Sequence, residues 1–127
     1  LLRNKDVLGL KDLTADEMAG ILDTAAALKS LVISKNKRSP HLQGKSVVTM
    51  FYESSTRTRL SFELAAKYMS GVAANVTGSG SSVEKGETLA DTCRTIDAMG
   101  TDVLILRHPM SGAAHLAARN VGASVIN

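Results

Sequence analysis

Four short runs rich in β-branched and aliphatic residues, at 45–52, 73–77, 102–106 and 123–126, alternate with four segments of helical periodicity. Within these runs apolar and polar residues alternate little, the pattern of strands covered on both faces. Ahead of the first run, Met18, Ile21, Leu22, Ala25, Leu28 and Val32 recur at helical spacing behind a capping box, Thr14-Ala15-Asp16-Glu17. This helix ends in the polar stretch 34–40. A second helix carries Leu60, Leu64, Ala65 and Tyr68 on one side and stops at Gly71. A third turns Leu89, Cys93, Ile96 and Met99 inward and closes at Gly100, and an Ala-rich helix fills 111–120. The order α-β-α-β-α-β-α-β predicts an α/β fold. It is a doubly wound parallel sheet of about four strands with helices on both faces, three layers in one domain spanning 1–127.

Composition narrows the classes. With 44% hydrophobic and 21% charged residues, the chain is neither disordered nor collagen-like. One cysteine excludes an internal disulfide framework, and no Cys/His set has zinc spacing, so no metal is expected. No apolar run approaches the roughly 20 residues of a membrane span. The opening residues lack the apolar stretch of a secretory signal, which makes a cytoplasmic location the expectation. The net charge of +3 comes from the first half, partly from Lys35-Asn36-Lys37-Arg38, which reads as a solvated helix end or loop. Nucleic-acid binding calls for stacking aromatics. Two Phe, two Tyr and no Trp argue against it. The sequence stops in or just after its fourth strand, which predicts a fragment of a longer chain.

In an open parallel sheet, ligands bind beyond the carboxyl ends of the strands, where the strand order reverses. Strand polarity alone brings three segments there: 53–59, 78–86 and 107–109. They are also the segments richest in hydroxyl, glycine and cationic residues. Ser55-Thr56-Arg57-Thr58-Arg59 sits between a strand and a helix, so its backbone N–H groups are the unpaired donors of a helix N-terminus. Hydroxyls and a guanidinium added to those donors suit a dianionic phosphate, which arginine grips with two parallel bonds of about 1.5–3 kcal/mol each. The plainer alternative is a Ser/Thr helix cap with its arginines in solvent. The loop 78–86 has neither a Walker A motif nor a dinucleotide fingerprint. It reads either as a mobile lid delivering Lys85 or as a plain surface loop. Arg107, at the end of a buried strand, either reaches into the site or closes the strand at the surface. His108, beside Pro109, reads as structural, His41 and His115 as solvent or packing residues, and Cys93 as core. Nothing supports covalent catalysis.

Phe51-x-Glu53-x-Ser55-Thr56-Arg57-Thr58-Arg59, followed by Ser61-Phe62-Glu63, resembles the carbamoyl-phosphate motif of the aspartate and ornithine carbamoyltransferase family. Ser81-Ser82-x-x-Lys85-Gly86-Glu87-Thr88 with Asp91-Thr92 is similar to the lysine loop of its aspartate branch, and Arg107-His108-Pro109 to the family's third-strand arginine. The resemblance covers essentially the whole chain. It implies the amino-terminal, carbamoyl-phosphate domain of an enzyme of pyrimidine biosynthesis. That enzyme moves the carbamoyl group of carbamoyl phosphate to the α-amine of L-aspartate, giving N-carbamoyl-L-aspartate and phosphate. By the same resemblance Ser55, Thr56, Arg57 and Thr58 hold the phosphate, while Thr58 and Arg107 lie near the carbamoyl oxygen. Ser81 and Lys85 would enter a neighbouring subunit's site, giving a homotrimer to which regulatory chains can add. The catalytic roles fall to Arg57, Thr58, Arg107 and Lys85, with no cofactor. The family's His-Pro-x-Gln segment and its aspartate-binding domain have no counterpart in these residues. The chain alone is therefore expected to bind carbamoyl phosphate weakly and turn over little. Two rivals stand beside this reading: an ornithine carbamoyltransferase domain, which Lys85-Gly86-Glu87 argues against, and a non-catalytic phosphate-binding module.

Overall fold

A computed structural model describes residues 1–77 and 86–127. Four helices, α1 (Ala15–Ile33), α2 (Thr56–Tyr68), α3 (Leu89–Ala98) and α4 (Ala113–Asn120), alternate with four strands. The strands β1 (Ser46–Phe51), β2 (Val72–Thr77), β3 (Val103–Arg107) and β4 (Ser124–Ile126) form one parallel sheet in the order β2-β1-β3-β4. This is the doubly wound arrangement that the alternation predicts.

Because side chains along a strand alternate in direction, β1 and β3 supply both cores. On one face Val48, Met50, Leu104 and Leu106 pack with Val125 against Cys93 and Ile96 of α3 and the alanines Ala113, Ala114 and Ala117 of α4. On the other face Val47, Phe51 and Ile105 pack against Ala66 and Phe62 of α2. Helices therefore cover both faces. Burial explains Cys93, whose thiol is pushed up to about 11 and stays protonated in the core.

Several details depart from the sequence reading. The inner side of α2 is Phe62 and Ala66, whereas Leu60 and Leu64 of the apolar stripe are exposed. Periodicity locates a stripe but does not say what covers it: Leu60 and Leu64 stay exposed, while Ala65 and the half-buried Tyr68 share a cavity wall with Leu28 and Val32 of α1. The same holds for α1, where Ile21, Leu22 and Val32 are exposed and Glu17 is the buried residue. Met99 is 78% exposed, because it is the C-cap of α3 and lies past the last inward turn. Helix α2 begins at Thr56 and not after Arg59, so the hydroxyl-and-arginine segment is the helix's own first turn. An unforeseen element shields β4: Val7 bridges Ile126 in parallel, with Val7 N–H donating to the Val125 carbonyl at 2.8 Å and Asn127 N–H to the Val7 carbonyl at 2.9 Å. That pairing covers an edge that would otherwise offer free backbone groups.

The capping box of α1 is formed as expected, and it ties down the amino terminus. Glu17 accepts from Thr14 N–H at 2.8 Å and from Arg3, both backbone N–H at 2.8 Å and Nε at 3.2 Å. These bonds, the Thr14 N–H first, lower the carboxyl from 4.5 to about 2. A carboxyl depressed by folding stabilises the fold above its ordinary value and loses that contribution as pH falls towards the folded value. Thermal melts should therefore show the wild type losing more stability between pH 5 and pH 2.5 than Glu17→Gln, where this contribution is absent at every pH. Equal losses in the two proteins would show that the Arg3–Glu17–Thr14 cluster carries no such linkage.

Candidate functional site

The chain leaves β1 for α2 on one face of the sheet and leaves β3 for α4 on the other, so the two adjacent strands diverge at their carboxyl ends. The strand order also reverses at β1, which has β2 on one side and β3 on the other. A crevice opens there by construction. Tyr52 N–H donates to the Arg107 carbonyl at 2.8 Å, fixing the two strand ends side by side. Beyond the carboxyl ends of β1 and β2 lies a cleft of about 380 Å³ whose lining includes Tyr52, Glu53, Ser55, Thr56, Arg59 and Thr77; Arg107 is not among its described lining residues.

The local chemistry of α2's first turn sets it apart from the other helix starts. Three helices begin at a Ser or Thr cap. In α1 the Thr14 hydroxyl accepts from Glu17 N–H at 3.1 Å, and in α3 the Thr88 hydroxyl accepts from Asp91 N–H at 3.1 Å. In α2 the cap is Ser55, and its side chain makes no cap hydrogen bond. The first intrahelical bond runs from Arg59 N–H to the Ser55 carbonyl at 3.1 Å. Helix geometry leaves the N–H groups of Thr56, Arg57 and Thr58 without intrahelical acceptors. Those donors, the positive end of the helix dipole and the uncapped hydroxyl face the region beyond β1 together.

The sequence-predicted residues gather around this turn to different degrees. Ser55 and Thr58 are half-buried, while Thr56 and Arg57 are exposed. Ser55 and Thr56 line the cleft, whereas Arg57 is not among its described lining residues. Arg107 is the last residue of β3, in register with Phe51 of β1, and its Nε donates to Glu53 Oε2 at 3.1 Å. Both side chains of that pair are more than a third exposed, which makes the attachment weak. Ser81 and Lys85 lie outside the described residues.

His108 packs its ring on Tyr52 at 4.9 Å between centroids and accepts from Met110 N–H at Nδ1, so it is a structural residue, as the sequence reading has it. Partial burial holds its imidazole below the ordinary value, with Glu53 pulling weakly the other way. His41 pairs with the Ser39 hydroxyl, tying its loop together. Burial likewise raises the Tyr52 phenol, which stays protonated. Among the described residues no cluster of His, Cys, Asp and Glu could hold a metal ion, and no helix is long and apolar enough to cross a membrane.

Two cleft residues have no role in the sequence reading: Glu53, which holds Arg107, and Arg59, which lines the cleft. The second had a signal in the sequence, because Arg59 and Glu63 stand four apart on one helix and form an ion pair of 3.8 Å.

The family described as aspartate/ornithine carbamoyltransferase, carbamoyl-P binding domain, matches residues 5–127. The aspartate carbamoyltransferase catalytic subunit of Acetivibrio thermocellus is 65% identical over 127 residues, all of this chain and 41% of that protein. Its counterpart in Ruminiclostridium cellulolyticum is 63% identical over 126 residues, 99% of this chain and 40% of that one. Among solved structures, the catalytic subunit of M. jannaschii aspartate transcarbamoylase superposes with a TM-score of 0.87 at 42% identity, covering 98% of this chain and 40% of its own. The Trypanosoma cruzi aspartate transcarbamoylase, in complex with carbamoyl phosphate and aspartate, gives 0.89 at 31% identity over 99% of this chain and 39% of its own. The chain thus spans about two fifths of the length of the relatives it matches.

Proposed function

We propose a function from one premise: this chain belongs to the aspartate/ornithine carbamoyltransferase, carbamoyl-P binding domain family. It binds carbamoyl phosphate with the phosphate on the first turn of α2. As part of a longer protein of the relatives' length, it transfers the carbamoyl group to L-aspartate. The observation that carries this reading is the Ser55 cap, which leaves the start of α2, just beyond the strand-order reversal at β1, without a side-chain cap. The names of the relatives support aspartate over ornithine as acceptor.

The α-amine of aspartate attacks the carbonyl carbon, and the tetrahedral intermediate collapses by breaking the C–O bond to phosphate. The amine's proton leaves with the departing phosphate, so no protein base is needed. Negative charge grows first on the carbonyl oxygen and then on the leaving group. Fixed donors are what such a reaction requires. The α2 N–H groups, the Ser55 and Thr56 hydroxyls and Arg57 meet the phosphate, and Thr58 and Arg107 meet the carbonyl oxygen. Holding the two substrates together lowers the barrier further. A second domain, in the part of the relatives that this chain does not span, supplies the aspartate site. The working enzyme is a homotrimer, able to carry regulatory chains, in which Ser81 and Lys85 enter the neighbouring subunit's site. It acts in the cytoplasm, in pyrimidine biosynthesis.

Two measurements test this. Calorimetric titration of carbamoyl phosphate into the chain should show one site, competed by inorganic phosphate. A folded chain that binds neither ligand overturns the reading. For the shared site, full-length subunits mutated separately at Arg57 and at Lys85 should regain carbamoyl-aspartate formation when mixed, because one site in the mixed trimer is then wild type. No recovery after verified subunit exchange would remove the trimeric site.

A further inference from the structure

We propose that Tyr52 and His108 are a positioning pair for Arg107. The contact of their rings holds the ends of β1 and β3 at the spacing from which the Arg107 guanidinium reaches the carbonyl oxygen. This rests on reading Arg107 as the oxyanion donor. Neither ring touches the reacting atoms in this assignment; both act through the residue beside them.

The strand ends need such a tie. Phe51 stands opposite Arg107 in the last pair of the β1–β3 ladder, and the Tyr52 N–H bond to the Arg107 carbonyl, at 2.8 Å, adds one backbone bond past it. Beyond that point the chain leaves for α2 from one strand and for α4 from the other. The ends of such a ladder fray first, unless something past the last bond holds them. The Glu53 carboxylate, which receives Arg107 Nε at 3.1 Å, is too weak a hold, because both side chains are more than a third exposed. Where Arg107 stands is therefore set by its backbone and not by its ion pair.

The ring contact supplies the hold. One step past the ladder, Tyr52 and His108 meet with ring centroids 4.9 Å apart and planes tilted by 50°, a favourable separation for ring pairs. Side chains alternate along a strand, so Phe51 packs on the α2 side while Tyr52 packs against the core that includes Cys93 and Ile96 of α3. The Tyr52 phenol oxygen is buried and has no hydrogen bond among the described residues, so its contribution is the ring. His108 accepts from Met110 N–H at Nδ1, at 3.0 Å, which pins the imidazole to the turn that leads into α4. Arg107 thus sits at a point held twice by Tyr52, once through its own carbonyl and once through the ring of the next residue. Its guanidinium can leave Glu53 while the strand end stays in place.

The test uses the full-length protein, with kcat and KM for carbamoyl phosphate read from carbamoyl-aspartate formation and circular dichroism for the fold. Tyr52→Leu keeps an apolar side chain for the core and removes the ring contact. It should lower kcat about tenfold, within the cost of a slightly misplaced group, and change KM less than about twofold. Tyr52→Phe, which keeps the ring, should recover most of that loss. His108→Asn, whose Oδ1 can still accept from Met110 N–H, should fall with Tyr52→Leu. In an Arg107→Ala background Tyr52→Leu should cost nothing further in kcat, because it acts only through Arg107; a general loosening of the fold would multiply the two losses. A folded Tyr52→Leu protein with wild-type kcat, or its full loss persisting in the Arg107→Ala background, would overturn the assignment. Should Tyr52→Leu fail to fold, His108→Asn decides by the same two readings. Arg107→Ala with undiminished kcat would instead remove the oxyanion reading, and this assignment with it.

Discussion

Arg57→Ala should leave the chain folded and remove its detectable affinity for carbamoyl phosphate. The fold has little reason to respond. Arg57 is exposed in the first turn of α2, and its backbone carbonyl, which accepts from the Ser61 hydroxyl at 2.8 Å, survives the change. Alanine is also the best helix former, so the turn itself is not weakened. Binding has every reason to respond. A guanidinium gripping a phosphate through two charge-assisted bonds of about 1.5–3 kcal/mol each supplies about 3–6 kcal/mol, or about two to four orders of magnitude in affinity. Titration of the variant alongside a thermal melt checks both halves. A folded variant that still binds like wild type would show that the phosphate does not rest on this turn. An unfolded one would show that Arg57 has a structural role its exposure does not suggest.

The architecture was legible in the sequence because β1 and β3 are buried on both faces, and such strands read as unbroken apolar runs whatever packs on them. Strand polarity pointed to the end of the sheet where the cleft lies, and Ser55 to Arg59 suggested the phosphate chemistry proposed for it. What stayed hidden depends on contacts that no local pattern encodes. The stripe Leu60, Leu64, Ala65 and Tyr68 looks like the buried side of α2, yet the sheet takes Phe62 and Ala66, and Arg59 and Glu63 turn with that inner half towards the cleft and Thr49. A one-residue choice of face thus decides which arginine lines the cleft. The Arg107–Glu53 pair was equally out of reach, since it needs the register that sets Phe51 opposite Arg107. The idle Ser55 hydroxyl is the hardest case, because in sequence a Ser before a helix looks like a working cap.

In the full-length protein, Arg107→Ala should lower kcat by about two to three orders of magnitude, the usual cost of removing one donor from a developing oxyanion. Carbamoyl-phosphate affinity should fall much less than in Arg57→Ala. The split follows from where the two residues sit. On the proposed reading Arg57, in the α2 turn, meets a phosphate that carries its charge in the ground state and in the transition state alike. Arg107, at the end of β3, would meet charge that builds on the carbonyl oxygen only as the amine attacks. Before that moment its guanidinium rests on Glu53 at 3.1 Å, with 45% of the arginine side chain exposed. Exposed pairs of this kind are worth about 0–1 kcal/mol, so leaving or sharing Glu53 costs little beside the transition-state charge it goes to meet. Glu53→Gln therefore serves as the control, because it frees Arg107 without deleting it and should cost far less than Arg107→Ala. If Arg107→Ala raised KM for carbamoyl phosphate in step with Arg57→Ala and spared kcat, Arg107 would be a ground-state phosphate ligand, and the oxyanion would need another donor. Thr58, half-buried one residue past Arg57, would then be the next to test.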